Sequence, residues 1–427
     1  MHEANKVLDE PTPDRENPQG CCRFCGSDLR HTMVDLGMSP LCESYRSATQ
    51  LNEMELFYPL LVYVCEHCFL VQLQQYVMPE HIFSQYAYFS SYSDSWVQHA
   101  KTYADEMIDR FSLSANSQIV EIASNDGYLL QHFVARGIPV LGVEPAANIA
   151  EVACARDIPT LVKFFGTRTA QELAAEGRQA DLLLGNNVLA QVPDIRDFVE
   201  GMKQLLKPEG VITMEFPHLL RLMEENQFDT IYHEHFSYFS FMTVERIFAA
   251  HGLTLFDVEE LSTHGGSLRI YARHADDESH PINERVTELR SREYAAGFNC
   301  LQHYSSFAAR VQDTKRKLLE FLIHVKRGGQ SVVAYGAPGK GNTLLNYCGI
   351  RTDFIDYAVD RNPYKQGKFT PGTHIPIYHP EKILETRPDY LLIMPWNLRA
   401  EIMNQTAYVR DWGGRFVIAI PEVKVYS

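Results

Sequence analysis

The sequence lacks the segments that would place a protein in or across a membrane. No apolar run approaches the ~20 residues that a membrane-spanning helix requires. Residues 1–19 are polar and contain proline, and they lack the basic and apolar regions of a signal peptide. We therefore expect a cytoplasmic protein without a membrane segment, in which residues 1–20 form a loosely held tail.

Positive charge is also in short supply. The chain of 427 residues has 39 lysines and arginines against 54 aspartates and glutamates, which gives a formal net charge of −15. Nucleic-acid binding depends on basic surface that neutralises phosphates, so this balance argues against a nucleic-acid partner. A hydrophobic fraction of 45% and a charged fraction of 22% are typical of soluble globular proteins. The length predicts two or three domains.

Cysteine is scarce after residue 70, and its concentration before that point predicts a metal site. Six of the nine cysteines precede residue 70. They include the pairs Cys22-x-x-Cys25 and Cys65-x-x-Cys68, which have the spacing of tetrahedral zinc sites. Four protein ligands leave no open coordination position, so we expect structural Zn²⁺ in a ribbon domain at residues 21–80. The spare donors are Cys21, which can compete with Cys22, and also Cys42 and His67.

The dinucleotide fingerprint G-x-G-x-x-G is absent from the first strand–turn–helix pattern, at residues 118–130. An apolar strand nevertheless runs into a glycine turn, and the next strand ends in Glu144. An acid at that position can accept the ribose hydroxyls of an adenosine. We therefore expect a nucleoside-containing cofactor in an α/β domain at residues 81–280. The candidate binding residues are Glu121, Ser124, Asn125, Asp126, Gly127, Glu144, Asn186 and, as an adenine-stacking residue, Phe164.

A second α/β pattern occupies residues 281–427, and its glycine-rich turn lacks the G-x-x-x-x-G-K-[ST] signature of ATP hydrolases. A strand that ends at Tyr335 is followed by the turn 336–343, with a helix predicted to begin at Leu344. The turn resembles a phosphate cradle, although a glycine turn needed only for packing is an alternative. The diphosphate of a nucleotide-linked substrate is the predicted ligand. Its candidate contacts are Gly336, Lys340, Asn342, Arg361 and Lys365.

The segment 228–240 concentrates titratable side chains in an aromatic frame. Tyr232, His233, Glu234, His235 and Tyr238 fall within seven positions. Such groups suit general acid/base catalysis near neutral pH, whereas the alternative is a histidine-rich loop that meets water or a metal by chance. The segment follows a predicted strand, and ligands of parallel sheets lie at strand ends. Alternation along an extended segment predicts that His233 points away from its neighbours.

Three further positions complete the candidate site. Gln191 follows the fourth strand of the central domain, and His264 opens a His-Gly-Gly-Ser turn that can approach a ligand closely. The segment 86–93 is rich in tyrosine and serine. It is either a wall of the active site or a polar loop beside a strand, and its Tyr86 and Tyr88 are candidates for substrate contact.

In combination, these motifs resemble the zinc-binding, S-adenosylmethionine-dependent C-methyltransferases that act on nucleotide-linked deoxysugars. The resemblance extends over residues 20–427. It rests on the paired C-x-x-C, Tyr-x-Tyr-x-Ser-Ser, Val-Glu-Ile-x-Ser-Asn-Asp-Gly, Gly-Val-Glu-Pro, Tyr-x-Glu-His-Phe, His-Gly-Gly-Ser and Tyr-Gly-Ala-x-x-Lys motifs.

The resemblance implies S-adenosylmethionine in the middle domain and a dTDP-4-keto-hexose between the middle and C-terminal domains. It implies that His235 removes the proton at C-3 of the sugar and that the enolate takes the methyl group. Tyr232 and Glu234 would orient the base or bond the sugar. Tyr86 or Tyr88 would approach the sugar, with Tyr86 favoured by register. We expect a monomer or weak oligomer.

One position departs from the family pattern, because Gln191 stands where related enzymes often carry histidine. Glutamine can hydrogen-bond a keto oxygen but cannot shuttle a proton. Two other functions remain open from the sequence. One is O- or N-methylation of another small metabolite, and the other is a noncatalytic zinc-ribbon protein that binds a partner.

Overall fold

The structure, a computed structural model, describes residues 20–83 and 89–427, so the candidates Tyr86 and Tyr88 lie outside the described residues. The N-terminal domain is an antiparallel sheet of β1 (His31–Ser39), β2 (Tyr58–Val64) and β3 (Val71–Leu73). β1 was not predicted, because two register shifts interrupt its alternation of buried and exposed residues. A fourth strand, Ser237–Tyr238, pairs with β3 although it belongs to the candidate catalytic segment.

The central domain alternates strands and helices as expected. Its elements, with the fourth N-terminal strand as β9, are α1 (Pro79–Phe83), α2 (Asp94–Arg110), β4 (Ile119–Ile122), α3 (Leu130–Val134), β5 (Val140–Val143), α4 (Ala147–Cys154), β6 (Thr160–Leu161), α5 (Thr167–Ala175), β7 (Ala180–Asn186), α6 (Ile195–Leu205), β8 (Leu206–Pro217), α7 (Leu219–Glu224), β9 (Ser237–Tyr238), α8 (Phe241–Ala250), β10 (Leu253–Leu261) and β11 (Ser267–His274).

The sheet of this domain has seven strands in the order β10-β11-β8-β7-β4-β5-β6. Strands β4 to β8 are parallel, whereas β11 runs antiparallel to both of its neighbours. The chain leaves β4 toward β5 on one side and returns through β7 on the other, which creates a switch point at the carboxyl end of β4. Ligands of open α/β sheets bind at such a point.

The C-terminal part is a second α/β domain, as expected. Its elements are α9 (Glu284–Ala296), α10 (Leu301–Ser305), α11 (Phe307–Arg327), β12 (Val332–Tyr335), α12 (Gly339–Cys348), β13 (Ala358–Val359), β14 (Ile377–Tyr378), α13 (Lys382–Thr386), β15 (Tyr390–Ile393), α14 (Arg399–Gln405), β16 (Arg415–Ile418) and β17 (Lys424–Tyr426). The sheet order is β14-β13-β12-β15-β16-β17, and only β17 is antiparallel to its neighbour.

Helix α12 begins at Gly339, five residues earlier than predicted. Its glycines are required by close packing rather than by a loop conformation. A Cβ on Gly339 would lie 2.9 Å from Cys42 Sγ, and one on Gly341 would lie 2.8 Å from Met394 Sδ. Residues 340–343 are therefore helical, which corrects the expectation of an eight-residue phosphate loop.

The N-terminal and C-terminal domains share one hydrophobic core. Buried residues of β1 and β2 pack in the same cluster as those of α7, α11, α12 and the inner face of the C-terminal sheet, among them Met33, Val62, Leu220, Val311, Leu345 and Leu392. The first strands of the chain are thus held against its last third. Within residues 20–83 and 89–427, no helix has the length and apolar character needed to cross a membrane.

Candidate active site

A cavity of about 480 Å³ lies where the three domains meet. The central domain lines most of it, from the carboxyl ends of its parallel strands. Cys42 and Glu43 enter from the N-terminal domain, and Lys340 and Lys365 enter from the C-terminal domain. Eleven predicted site residues line this cavity: Asn125, Glu144, Phe164, Asn186, Gln191, Tyr232, Glu234, His235, His264, Lys340 and Lys365.

Glu144, at the end of β5, anchors one half of the cavity. Its side chain is 6% exposed, and its two oxygens accept hydrogen bonds of 2.9 Å from the backbone N–H groups of Asn125 and Ala146. These bonds fix the carboxylate and leave it lone pairs for further donors. Trp96, Tyr128 and Phe164 add aromatic surface to the cavity lining. A carboxylate and aromatic rings in one cavity match the ribose and adenine of an adenosine cofactor.

The turn after β4 does not contribute as a whole to the cavity. Asn125 lines it, but Ser124, Asp126 and Gly127 do not. The Asp126 carboxylate instead accepts hydrogen bonds from the backbone N–H and hydroxyl of Ser91, and Asn125 Oδ1 accepts the N–H of Ser90 at 2.9 Å. The turn therefore holds Ser90 and Ser91 close to the half of the cavity that Glu144 anchors.

Glu121, in β4, also lies outside the cavity lining and is fully buried. Neither of its carboxyl oxygens has a hydrogen-bond partner in the part of the chain that the structure describes. Burial raises the pKa of Glu121 well above its usual range, and the charges of Glu144 and Asp126 add to the effect. Glu121 lies in β4, which pairs with the strand that ends at Glu144. A buried carboxyl without a partner at this place is consistent with a polar ligand at this edge of the sheet.

The candidate catalytic segment forms a turn rather than an extended strand, since the N–H of His235 donates to the carbonyl of Tyr232 at 2.9 Å. Tyr232, Glu234 and His235 line the cavity. His233 points elsewhere, with Nε2 3.1 Å from the carbonyl oxygen of Pro59. The orientation predicted for His233 is observed, but the turn causes it and not the alternation of a strand.

His235 is held as a neutral imidazole. It is 7% exposed, its ring lies 4.3 Å from that of Tyr232, and it hydrogen-bonds to the backbone of Thr230. Burial lowers the pKa of His235 to about 3, and the charge of Lys340 acts in the same direction. A neutral ring that donates from one nitrogen to a carbonyl keeps a lone pair on the other nitrogen, so it can accept a proton.

His264 lines the cavity from a strained turn. Its φ is +53°, and the two glycines that follow have φ of +94° and +118°. Thr263 anchors the turn by donating its hydroxyl to Glu215 Oε1 at 2.8 Å. The amide of Asn187 lies 3.1 Å from His264 Nε2. Burial lowers the pKa of His264 to about 4, so this second imidazole is also neutral near pH 7.

Of the five residues predicted to hold a diphosphate, only Lys340 and Lys365 reach the cavity. Asn342 is 1% exposed and donates to the carbonyl of Cys42 at 2.6 Å, which ties α12 to the N-terminal domain. Gly336 packs against Pro395, and Arg361 is exposed. Helix α12 begins at Gly339, inside the predicted turn 336–343, so the second part of that turn is helical and not a loop.

Several cavity residues were not recognised from the sequence. Cys42 and Glu43 come from a segment with no motif, and Cys42 Sγ lies 3.4 Å from Glu234 Oε1. Asn187 follows Asn186 at a strand end, and its φ of +58° marks a special turn. Trp96, near the start of α2, is a further cavity residue of this kind. The strand-end position of Asn187 was a usable signal, whereas the other contacts depend on packing between distant segments.

The metal site agrees with the predicted ligands. The thiols of Cys22, Cys25, Cys65 and Cys68 all lie within 4.8 Å of one another, and the spare donors are not part of this group. Gln72 donates from Nε2 to Cys22 Sγ at 3.2 Å, which orients a thiolate ligand. Four cysteine sulfurs at this spacing fit tetrahedral Zn²⁺ and leave no position for substrate.

Comparisons with known proteins cover the same three parts of the chain. Residues 22–83 match a zinc binding domain, residues 96–258 a methyltransferase domain, and residues 262–421 a C-methyltransferase C-terminal domain. The C-methyltransferase NovU of Streptomyces niveus is 36% identical over 406 residues, which are 95% of this chain and 96% of NovU.

Two other similarities are restricted to part of the chain. A ubiquinone biosynthesis O-methyltransferase of Bartonella bacilliformis is 30% identical over 107 residues, which are 24% of this chain and 43% of that protein. The crystal structure of an S-adenosylmethionine-dependent methyltransferase from Clostridium acetobutylicum covers 42% of this chain and 92% of its own, with 11% identity and a TM-score of 0.35. A score this low carries no functional inference.

Proposed function

The chain belongs to the C-methyltransferase family that includes NovU and is an S-adenosylmethionine-dependent methyltransferase with a zinc-binding domain, and we propose that its substrate is a nucleotide-linked 4-keto-deoxysugar. The new methyl group is placed on C-3, and dTDP is the proposed nucleotide. The observation that carries this proposal is the neutral, buried imidazole of His235 in a cavity shared by all three domains.

The cofactor half of the cavity suits S-adenosylmethionine. Glu144 offers acceptors to the ribose hydroxyls, and the rings of Trp96, Tyr128 and Phe164 offer surface to the adenine. When bound, S-adenosylmethionine supplies an electrophilic methyl group, whose bond to the sulfonium sulfur breaks as the sulfur keeps the electron pair. The chain's own residues must therefore generate a carbon nucleophile.

His235 has the properties of the base for this task. A ketone at C-4 acidifies the C–H bond at C-3, and an imidazole with a free lone pair can remove that proton. The electron pair of the C–H bond becomes a C=C bond, and the carbonyl oxygen takes up the negative charge. Glu234 and Tyr232 flank His235 in the cavity and orient the base or the sugar.

Hydrogen-bond donors near the imidazole are required where the oxyanion forms. Gln191 and His264 both line the cavity and can donate hydrogen bonds there. Gln191 donates through its amide without changing its charge, so its presence in place of histidine is compatible with a positioning role. Lys365 contacts the N-terminal domain, where its Nζ lies 3.5 Å from Glu43 Oε2. We assign it to the nucleotide diphosphate.

The experiment is incubation of the purified protein with S-adenosylmethionine and a panel of nucleotide-linked 4-keto-6-deoxyhexoses, followed by mass spectrometry. We expect a product that is heavier by one methyl group. His235→Ala should abolish turnover and leave the affinity for S-adenosylhomocysteine unchanged, whereas His233→Ala, which alters a residue outside the cavity, should retain turnover. No gain in mass with any sugar of the panel would refute the proposed substrate class.

A further inference from the structure

Lys340 was predicted to bind phosphate, but its surroundings are not those of a phosphate site. Its Nζ donates to Asn397 Oδ1 at 2.9 Å and lies 4.8 Å from the centre of the Trp396 indole. Of the predicted turn 336–343, Pro338 and Gly339 also line the cavity, but neither carries a charged side chain. Lys340 is thus held by a neutral amide and an aromatic face, whereas Lys365, a second lysine of the cavity lining, pairs with Glu43.

Trp396 connects Lys340 to both imidazoles of the cavity. Its Nε1–H donates to Asp229 Oδ2 at 2.8 Å, and Asp229 is the neighbour of Thr230, whose backbone hydrogen-bonds to His235. Its six-membered ring packs on Gly265, where a Cβ would come within 2.4 Å of the indole. Gly265 directly follows His264. Trp396, which packs against Lys340, is thus in contact with the segments that carry the two histidines.

The charge of Lys340 acts on these same groups. It lowers the pKa of His235 and that of His264, in each case after burial as the larger cause. The ammonium itself is partly buried, which lowers its pKa, while the charge of Asp229 raises it. Asp229 is fully buried, and its Oδ1 has no hydrogen-bond partner among residues 20–83 and 89–427. Its carboxylate is the countercharge that keeps Lys340 protonated.

We propose that Lys340 is a catalytic residue whose ammonium stabilises the oxyanion formed on the substrate carbonyl, and that Trp396 and Asp229 position it. This inference rests on the proposed function. As His235 takes the proton, the C–H electron pair forms the C=C bond and the carbonyl π pair moves to oxygen, where Lys340 pairs with it. Lys340 stays protonated, and the C=O bond re-forms when the carbon makes its new bond to methyl.

Physical reasons favour this role over anchoring a diphosphate. A preorganised cation in a low-dielectric cavity stabilises a developing charge more than it does in water, typically by about 10²–10³ in rate for one donor. The position of Lys340 between Trp396 and Asn397 is fixed before substrate binds. Lys365, in contrast, is already paired with Glu43 and with the carbonyl of Ala337, as expected for a group that exchanges partners with an incoming anion.

The test compares Lys340→Met, Lys365→Met and, as a matched control, Lys317→Met, which removes an exposed lysine of α11. For each variant we would measure methyl transfer, and also the exchange of the C-3 hydrogen with deuterated water in the presence of S-adenosylhomocysteine. Binding of dTDP by titration calorimetry reports on the diphosphate site. Zinc content and circular dichroism check that each variant is folded.

Lys340→Met should lower kcat and the exchange rate by about 10²-fold and change the Kd for dTDP less than threefold. Lys340→Arg should recover part of the rate, and Trp396→Phe should lower kcat about tenfold without weakening the binding of dTDP. Lys365→Met should instead weaken the binding of dTDP, and Lys317→Met should behave as the parent protein.

If the parent enzyme is active and the Lys340→Met variant exchanges hydrogen and transfers methyl at the parent rate, the proposed role of Lys340 is wrong. The proposed function of the enzyme is not affected by that outcome. A Lys340→Met variant that binds dTDP tenfold more weakly and has the parent kcat would make Lys340 a phosphate anchor. A parent protein that neither exchanges nor methylates any keto sugar would overturn the proposed function, and with it this inference.

Discussion

Cys42 of the N-terminal domain points its thiol at the carboxylate of Glu234, at 3.4 Å, although 192 positions separate the two residues in the chain. The contact arises because the zinc-binding domain shares a core with the C-terminal domain and a strand pair with the catalytic segment. β3 carries this pairing, and it starts three residues after Cys68. A metal site that leaves no position for substrate therefore shapes one wall of the active-site cavity.

Removal of zinc is expected to abolish methyl transfer by displacing this wall. Without metal, the four thiols lose the bond network that holds the ends of β2 and β3 together. Chelation should reduce activity in proportion to the zinc that is lost, and added Zn²⁺ should restore it when the protein has not aggregated. Zinc content and initial rate are measured on the same samples. Full activity in zinc-free protein would contradict the account.

The lowered pKa of His235 predicts a stability effect in acid. In the unfolded chain an imidazole binds its proton as the pH falls through about 6.5, whereas in the folded protein His235 remains neutral down to about 3. Between these values the unfolded state holds more protons, so stability decreases as the pH falls, by up to about 1.4 kcal/mol per pH unit from this one group.

The measurement is the thermal midpoint of unfolding between pH 6.5 and pH 4.5. His235→Asn should show a shallower decrease than the parent protein, since asparagine does not titrate. His379→Asn is the matched control at an exposed position and should follow the parent. Parallel curves for His235→Asn and the parent would mean that His235 is not held neutral.

Thr263 is expected to act through His264. Thr263→Val removes the hydroxyl that donates to Glu215 and keeps the shape of the side chain. We expect kcat to fall about tenfold, which corresponds to ~1.4 kcal/mol and to the loss of one hydrogen bond to a charged group. In a double-mutant cycle, Thr263→Val should cost little more once His264→Ala is present. Additive losses would indicate that Thr263 supports something other than His264.

Glu144→Gln should weaken the binding of S-adenosylhomocysteine about tenfold, because an amide offers one acceptor where the carboxylate offers two. Its NH₂ group would also face the N–H groups of Asn125 or Ala146. Glu151→Gln, an exposed substitution on α4, provides the control. Titration calorimetry measures both, and equal affinities for the two variants would remove Glu144 from the cofactor site.

The positions that were predicted from the sequence depend on local spacing. The zinc ligands follow from two C-x-x-C pairs, and the place of Glu144 at the cavity follows from an apolar strand that ends in an acid. The candidate catalytic segment was singled out because it places several titratable groups next to a strand end. In each case a short stretch of sequence carries both the residue type and the element that positions it, so no knowledge of distant packing is required.

The features that were missed depend on contacts between distant segments. Cys42 reaches Glu234 only because the N-terminal sheet packs on the C-terminal domain, and Trp396 reaches Asp229 across 167 positions. The turn 336–343 was predicted as a loop for a related reason. Gly339 and Gly341 resemble loop glycines in sequence, but they lie in a helix, where the close approach of Cys42 and Met394 leaves no space for a side chain.

The central claim is that His235 generates a carbon nucleophile, and the position of the transferred methyl group tests it most directly. The measurement is ¹³C NMR of the product formed with S-adenosylmethionine that is labelled in its methyl group. The account predicts a labelled methyl carbon coupled to C-3 of a nucleotide-linked keto sugar, and no labelled product with His235→Ala. A label with the chemical shift of an O-methyl or N-methyl group, or a product formed equally well by His235→Ala, would contradict it.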